Sequence, residues 1–460
     1  MELKPAAKLS DRYDFGEGER GIYPNPSGRI SFESKARLPE GGNKYPMHII
    51  QPPLFDFEAF IAAKDNEQLV MVLEALDAEK LIVTLEKEHW TGRKGYSIRG
   101  MWAAFICGLL RQCHSLVDIV RLLERDKNVR MVCGFPGRDE IPSKDALGRF
   151  LNKLAGHREL VEECFAGLVE RLRGLLPGFG QKLVADSTNI KAYSNGRGTK
   201  RSDPDARWGA KKAGYQEGET KKGKKRDLYY WFGYKLHLLV DGIYELPVSF
   251  ALTPANESDT QQMEVLLKKA RVERPQAKPE MVIADKGYDS KHNNNLIYQT
   301  YHATPVIPII ERQGIQLPDI CNAKGTPTCG CGLEMVFWGR DGKYLKYRCP
   351  QAVGKGVCQD LSPCTASAYG YVLKLPIADD VRRHPPIPRE SKKWGRVYAL
   401  RTAIERVNSR VKDLVGLRYI TVRGIAKVTV RCLLSLLVML AVGVGMAQRH
   451  RYKELRTLMV

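Results

Sequence analysis

Two aspartates in this chain have sequence surroundings that suit carboxylates acting on a phosphate group. Asp186 and Asp285 each follow a short apolar run, LVA and VIA, and each precedes a polar turn. Functional groups of α/β sheets gather at strand ends, so we expect both aspartates to end neighbouring strands. Two such carboxylates repel each other unless a cation lies between them, and hard oxygen ligands favour Mg²⁺ or Mn²⁺. Taken singly, either aspartate is more often a turn or helix-cap residue.

A third acid, Glu405, lies in a segment whose spacing predicts a helix with two different faces. One face is apolar and carries Leu400, Ala403, Ile404, Val407, Val411 and Leu414. The other face carries Tyr398, Arg401, Glu405, Asn408 and Lys412. A lone face of this kind is usually solvated, with weak ion pairs. Joined to the two aspartates, however, Glu405 completes three carboxylates, which suit two metal ions acting on a phosphodiester.

The charge of the chain points to a polyanionic partner. Lys and Arg number 73 against 52 Asp and Glu, which gives a net charge of +21 over 460 residues. Such an excess favours nucleic acid before membrane. Ribosomal and chromatin proteins are basic too, so charge alone does not indicate an enzyme. The hydrophobic fraction of 43% is enough for a sizeable core.

No membrane segment is expected. The N-terminus lacks the apolar stretch of a signal peptide. The longest apolar stretch, Cys432–Ala447, is short for a bilayer span and predicts a buried helix. Eleven cysteines without a secretion signal favour a reducing compartment.

The elements that must position the carboxylates form a mixed α/β pattern. Helical spacing runs from Phe60 to Leu85 and recurs at 101–113, 116–125, 145–154 and 159–176. Strands that end at the two aspartates are predicted within 182–188 and 281–289, and further strands at 229–241, 244–254 and 303–310, with helices at 259–271 and 289–301. The predicted domains are a poorly ordered segment (1–55), a helical DNA-binding domain (56–177), a catalytic domain (178–310 and 377–450) and a Cys-rich insertion (311–376).

These segments together resemble the DDE transposases of bacterial insertion sequences. The strands LVADST, YKLHLLVD and VIADKGYDS match, and the helix Y-x2-R-x3-E-x6-K matches the YREK signature of that group at every position. The upstream stretches RKGYSIRGMWAAFICGLL and VCGFPGRDEIPSKDALGRFLNKL are also similar, so the resemblance covers residues 90–440.

The resemblance implies a fold and an activity. It implies a ribonuclease-H-like mixed sheet with flanking helices, preceded by an all-helical domain and interrupted by the Cys-rich insertion. Asp186, Asp285 and Glu405 would hold Mg²⁺ or Mn²⁺, while Tyr398, Arg401 and Lys412 would handle DNA near the cut. The partners would be the terminal inverted repeats and target DNA, bound by a homodimer in the bacterial cytoplasm at the nucleoid.

Two further residues, Lys235 and His237, match a sequence feature that recurs in the same family. On a strand they point the same way, towards DNA phosphate or towards Asp186. The alternative is an ordinary surface alternation. A basic loop after Asn195 suits backbone contact with DNA or is a solvated linker, and Trp208 within it could stack on an exposed base.

The Cys-rich insertion predicts a structural zinc site. Its cysteines are Cys321, Cys329, Cys331, Cys349, Cys358 and Cys364. Four thiolates from two knuckles, Cys329, Cys331, Cys349 and Cys358, would close a tetrahedral Zn²⁺ site resembling a zinc ribbon. The segment between the knuckles predicts a hairpin. Free cysteines in a loop are the alternative.

Three functions are compatible with the sequence. The first is a metal-dependent transposase that cuts DNA at element ends and joins the 3′-OH to target DNA. The second is a catalytically inactive, domesticated DNA-binding protein, and the third is a zinc-ribbon regulator. The three carboxylates favour the first, because a protein that only binds DNA has little use for converging acids.

Overall fold

The computed structural model describes residues 64–88, 95–198, 201–212, 228–272, 278–310, 321–322, 325–358 and 364–456. The predicted N-terminal segment, residues 1–55, lies outside these ranges, as does most of the predicted basic loop.

A series of helices precedes the sheet. They are α1 (Lys64–Ala75), α2 (Glu79–Glu88), α3 (Ile98–Leu110), α4 (Leu116–Arg125), α5 (Lys127–Val132), α6 (Lys144–Gly156) and α7 (Arg158–Leu175). α4 begins at Ser115, whose hydroxyl accepts the Asp118 N–H while the Asp118 carboxylate accepts the Ser115 N–H. The predicted helices are found with small shifts of their ends, except that the one predicted from Phe60 to Leu85 is divided between α1 and α2.

A mixed sheet follows the helices. Its strands are β1 (Lys182–Lys191), β2 (Arg207–Lys212), β3 (Leu228–Asp241), β4 (Pro247–Pro254), β5 (Met281–Ala284) and β6 (Thr304–Val306). The order is β2-β3-β1-β5-β6, and β4 pairs with β3. β3 is antiparallel to β1 and β4, whereas β5 is parallel to β1 and β6. The mixed α/β prediction is confirmed, and so is the hairpin joined at Asp241–Gly242.

Helices α8 (Asp259–Val272) and α9 (Lys291–Asn295) lie between the later strands. The helix predicted over 289–301 is only partly α-helical, since a π-helical turn over Leu296–Thr300 follows α9. The helix predicted to carry Glu405 is likewise divided into α10 (Lys392–Tyr398), a 3₁₀ turn over Ala399–Arg401, and α11 (Thr402–Asp413).

The prediction that Asp186 ends its strand is wrong. β1 continues through Lys191, because Ser187 to Lys191 stay paired with β3. The end of this pairing is crowded: a Cβ on Gly233, the partner of Lys191, would lie 2.1 Å from the Ile190 carbonyl oxygen. Gly233 has a φ of +155°, a backbone conformation that suits glycine.

The C-terminal apolar stretch is buried, as predicted. It forms α12 (Ile425–Gln448), which is long and apolar enough to cross a membrane, yet its apolar window is entirely buried inside the protein. α12 contacts α1, α3, α6 and α7 as well as β4. The helical region and the sheet therefore share one continuous hydrophobic core around this helix.

The Cys-rich region forms a small sheet of its own. Strands β7 (Val336–Asp341), β8 (Tyr344–Arg348) and β9 (Val372–Pro376) pair antiparallel in that order. The predicted hairpin is thus present as β7 and β8. A separate small core packs beneath it, including Met335, Leu345 and Tyr347.

A buried carboxylate fixes α11 to the turn between β3 and β4. Glu245 is 2% exposed, and its carboxylate oxygens lie 2.7 Å from Arg406, 3.0 Å from Arg410 and 3.5 Å from Arg456. Arg410 also donates to the Glu245 carbonyl at 2.9 Å. A turn residue is thereby joined to the helix that carries Glu405 and to the C-terminal segment.

Replacing Glu245 by Ala should destabilise the fold strongly. The buried Arg410 guanidinium would lose its counter-charge, and breaking a buried pair in this way costs about 3–5 kcal/mol. The free energy of unfolding from denaturant titration measures the effect. The matched control is Glu163→Ala, which removes an exposed pair with Lys80 and should cost less than about 1 kcal/mol. Equal losses in the two variants would contradict this role of Glu245.

Candidate active site

The parallel pairing of β1 with β5 places Asp186 beside Asp285. Ala185 is the register partner of Ala284, and each aspartate is the next residue along its chain. Paired strands lie about 4.8 Å apart. β5 ends there, because the Asp285 carboxylate accepts the Lys286 N–H at 2.5 Å and caps a 3₁₀ turn over Lys286–Tyr288. The two aspartates thus come from neighbouring strands.

The electrostatics of this pair favour a bound cation. Burial raises the pKa of Asp186 to about 6, and the charge of Asp285 raises it as well. The Ser187 N–H and the charges of Lys211 and Arg401 act in the opposite direction. A charged carboxylate that is desolvated next to a second one is costly unless positive charge compensates it. Two oxygen donors in this setting fit Mg²⁺ or Mn²⁺.

The helix that carries Glu405 packs against the same strands. The 3₁₀ turn Ala399–Arg401 contacts β1 and β5, and α11 contacts β1 and β3. The predicted apolar face points inward. Ala403, Ile404, Val407 and Val411 are fully buried, and Leu400 and Leu414 are partly buried.

Glu405 itself is paired with Arg401. The Arg401 guanidinium donates to the Glu405 carboxylate at 2.5 Å, and the Glu405 side chain is 53% exposed. Although burial lowers the pKa of Arg401, the charges of Glu405, Tyr398, Asp186 and Asp285 raise it overall. Arg401 is therefore within electrostatic reach of all three carboxylates.

The charges of the three carboxylates and of Arg401 also act on Tyr398. Burial raises the pKa of its phenol. The charges of Asp285, Asp186 and Glu405 raise this pKa further, whereas the charge of Arg401 lowers it. The ring stacks on Trp394, with centroids 4.6 Å apart and planes at 15°. The sequence prediction did not include Trp394. The spacing of Trp394 and Tyr398, two aromatic residues one helical turn apart, is the sequence signal that could have identified it.

Lys412 contacts β1 three residues beyond Asp186. Its ammonium donates to the Asn189 side-chain oxygen at 2.7 Å. The pKa of Lys412 is lowered to about 8, first by burial and then by the charges of Lys211 and Arg418. The Asn189 amide oxygen thereby positions this lysine.

Lys235 and His237 are occupied by other partners. Lys235 donates to Asp259 at 3.0 Å and to the Glu257 carbonyl at 2.8 Å. The His237 ring is fully buried, hydrogen-bonds with Thr253 at 2.9 Å, and has its pKa lowered to about 4 by burial. His237 is opposite Ser187 in the register, so strand alternation turns it away from Asp186. DNA contact by either residue stays a prediction.

The Glu405 carboxylate does not cluster with those of Asp186 and Asp285. Within the described ranges, no three His, Cys, Asp or Glu side chains are grouped so that they could hold a metal ion. Glu405 turns towards Arg401 instead. The shared three-carboxylate pocket therefore stays a prediction, whereas the pairing of the two strands is part of the fold.

The cysteines of the insertion are partly clustered. The Cys329 and Cys331 sulfurs are 2.9 Å apart. Hydrogen bonds from the thiols of Cys329 and Cys358 lower the pKa of Cys331. Cys349 instead lies beside Gly370, where an added Cβ would meet the cysteine Cβ at 3.1 Å. Cys331 thus has two cysteine neighbours, but within the described ranges these side chains do not form a group that could hold a metal ion.

Comparison with known families covers most of the chain. Residues 177–441, more than half of the protein, match the family described as Transposase DDE domain. Residues 55–153 match a second family, described as Transposase domain (DUF772). No curated protein matches the chain. The mixed sheet and its flanking helices agree with the ribonuclease-H-like fold that the first family implies. This protein therefore belongs to the insertion-sequence DDE transposases, metal-dependent enzymes that cut DNA and transfer its strands.

Proposed function

We propose that Asp186, Asp285 and Glu405 are the catalytic carboxylates of this transposase, acting at element ends and then on target DNA. The observation that carries the proposal is the register of β1 with β5, which sets two aspartates side by side. Glu405 follows on a helix packed against the same strands. When bound, Mg²⁺ or Mn²⁺ would activate the attacking oxygen and stabilise the leaving one. Its protein ligands would be these three side chains.

Bound DNA would help to complete the site by separating Glu405 from Arg401. A DNA phosphate offers Arg401 an alternative anionic partner, and arginine binds phosphate in the same forked geometry as carboxylate. Glu405, which is half exposed, then becomes free to turn towards Asp186 and Asp285. Lys412 and Tyr398 flank this point and would hold the strand in place.

Other parts of the chain would support DNA binding and assembly. The helical region, predicted over 56–177, would bind the terminal inverted repeats, and the full match of the Y-x2-R-x3-E-x6-K helix supports the YREK subgroup. A homodimer would pair two element ends. The expected location is the bacterial cytoplasm, at the nucleoid. The insertion would contact DNA and hold Zn²⁺ through Cys329, Cys331 and Cys358, with Cys349 as fourth ligand.

Neutralising any one of the three carboxylates should abolish cleavage. Asp186→Asn, Asp285→Asn and Glu405→Gln each remove an anionic ligand while keeping the side-chain shape, so DNA binding should persist. We expect cleavage and strand transfer to fall by at least about 100-fold. The assay uses DNA with the inverted repeats that bracket the gene, in Mg²⁺ or Mn²⁺. Glu264→Gln, on the exposed side of α8, is the control and should retain activity. Full activity in Glu405→Gln would exclude Glu405 from the site.

Arg401→Ala should weaken binding and cleavage together. Losing one phosphate contact lowers the slope of log affinity against log salt by about one. Binding isotherms at several salt concentrations measure this slope. Arg418→Ala, which removes a cation paired with Asp413 at the far end of α11, is the control. An unchanged slope in Arg401→Ala would place its guanidinium away from DNA.

Zinc content tests the insertion. The purified full chain should carry one zinc ion per protein, measured by elemental mass spectrometry. Cys329→Ser and Cys331→Ser should each lower that content, because serine is a poor zinc ligand. Cys113→Ser, in the helical region, should leave it unchanged. A chain without zinc would mean that these cysteines are free thiols.

A further inference from the structure

A buried ion pair holds the end of the turn that follows Asp285. The Arg382 guanidinium donates to both carboxylate oxygens of Asp289, at 2.9 and 2.7 Å. The Asp289 side chain is fully buried, and that of Arg382 is 16% exposed. Two parallel hydrogen bonds of this forked kind fix the orientation of the two groups as well as their distance.

Asp289 ends the turn that Asp285 begins. The Asp285 carbonyl accepts the Tyr288 N–H at 3.0 Å, and the Lys286 carbonyl accepts the Asp289 N–H at 3.1 Å. The Asp285 carboxylate caps the same turn at its start. Because one hydrogen-bonded turn joins the two acidic residues, a displacement of Asp289 also moves the backbone from which the Asp285 side chain projects.

The Asp289 carboxylate also binds the chain after β6. It accepts the Ile310 N–H at 2.7 Å, and Arg382 donates to the Ile310 carbonyl at 3.1 Å. Arg389 strengthens this junction, since it donates to the Ile307 carbonyl at 3.1 Å and to the Arg382 carbonyl at 2.8 Å. The turn, the chain after β6 and the segment that follows the insertion thus meet at one carboxylate.

The arginine of this pair belongs to the segment that leaves the Cys-rich insertion. Val381, the residue before Arg382, is fully buried in the small core of the insertion, as is Ile377. Tyr347 of β8 lies in the same core. Two successive residues, one packed in the insertion and one paired with Asp289, therefore join the insertion to the turn.

We propose that Arg382, acting through Asp289, is a positioning residue for the metal site, because it fixes the turn that holds the Asp285 carboxylate beside Asp186. The docked insertion thereby supports the binding of the divalent metal. Side chains that orient metal ligands without touching the metal typically contribute about 10–100-fold to metal affinity. The inference rests on the function proposed above, since it requires Asp285 to be a metal ligand.

The metal affinity of full-length Arg382→Gln tests this inference. Electron paramagnetic resonance measures free Mn²⁺ in titrations without DNA, so the measurement needs no catalysis. We expect the affinity for Mn²⁺ to fall by about 10-fold or more, and the Mg²⁺ concentration for half-maximal cleavage to rise correspondingly. Saturating Mg²⁺ should restore most of the cleavage rate, because the ligands themselves remain. A purely structural pair would instead lower the amount of active protein and leave both values unchanged.

A second variant separates metal affinity from folding, since Arg382→Gln leaves a buried carboxylate without its counter-charge. Asp289→Asn/Arg382→Met removes both charges and should unfold near the temperature of the unmodified protein, measured by circular dichroism in EDTA. It should show the same loss of Mn²⁺ affinity, because the forked hydrogen bonds are gone. The matched control is Arg383→Gln, which removes the next arginine, paired with Asp380 at 3.6 Å, and should bind Mn²⁺ like the unmodified protein.

Unchanged Mn²⁺ affinity in the folded double variant would overturn the inference. An equal loss in Arg383→Gln would also overturn it, since any disturbance of the segment would then suffice. Asp285→Asn separates this inference from the catalytic proposal. If Asp285→Asn loses Mn²⁺ affinity while the Arg382 variants keep it, only the positioning role fails, whereas retained affinity in Asp285→Asn would exclude Asp285 as a ligand and overturn both.

Discussion

The parallel pairing of β1 with β5 is the constraint on which the site depends. It aligns Ala185 with Ala284 and so sets Asp186 and Asp285 at the same level of the sheet. The apolar residues before each aspartate are buried and hold the register by packing, since a slip of one residue would turn them to the wrong face. Burial raises the pKa of Asp186, and the charge of Asp285 adds to the shift.

Several ion pairs join this sheet to the helices around it. Glu245 joins the β3–β4 turn to α11 through Arg406 and Arg410. Asp259, at the start of α8, binds Lys235 on β3. The pair of Arg401 with Glu405 differs, because the Glu405 side chain is half exposed and the charges of Asp186 and Asp285 also act on Arg401. Exposed pairs contribute little stability, so breaking this one costs little.

The helical region and the sheet are joined through one shared helix. One transposase-domain family matches residues 55–153, which include most of the helical region, and the DDE-domain family matches residues 177–441. The buried α12 packs against both the helices and the sheet, so the two regions share one core.

The sequence by itself determined the elements and the family. Periodicity predicted most helices, the β3–β4 hairpin and the burial of α12, and the spacing from Tyr398 to Lys412 indicated a DDE transposase. These signals are local, because each depends on residues within a few turns of one another. Tertiary structure alone decided that β1 runs on past Asp186 and that His237 is buried beside Thr253. Partner choice between residues far apart in sequence depends on strand register and helix packing, and no local pattern encodes either.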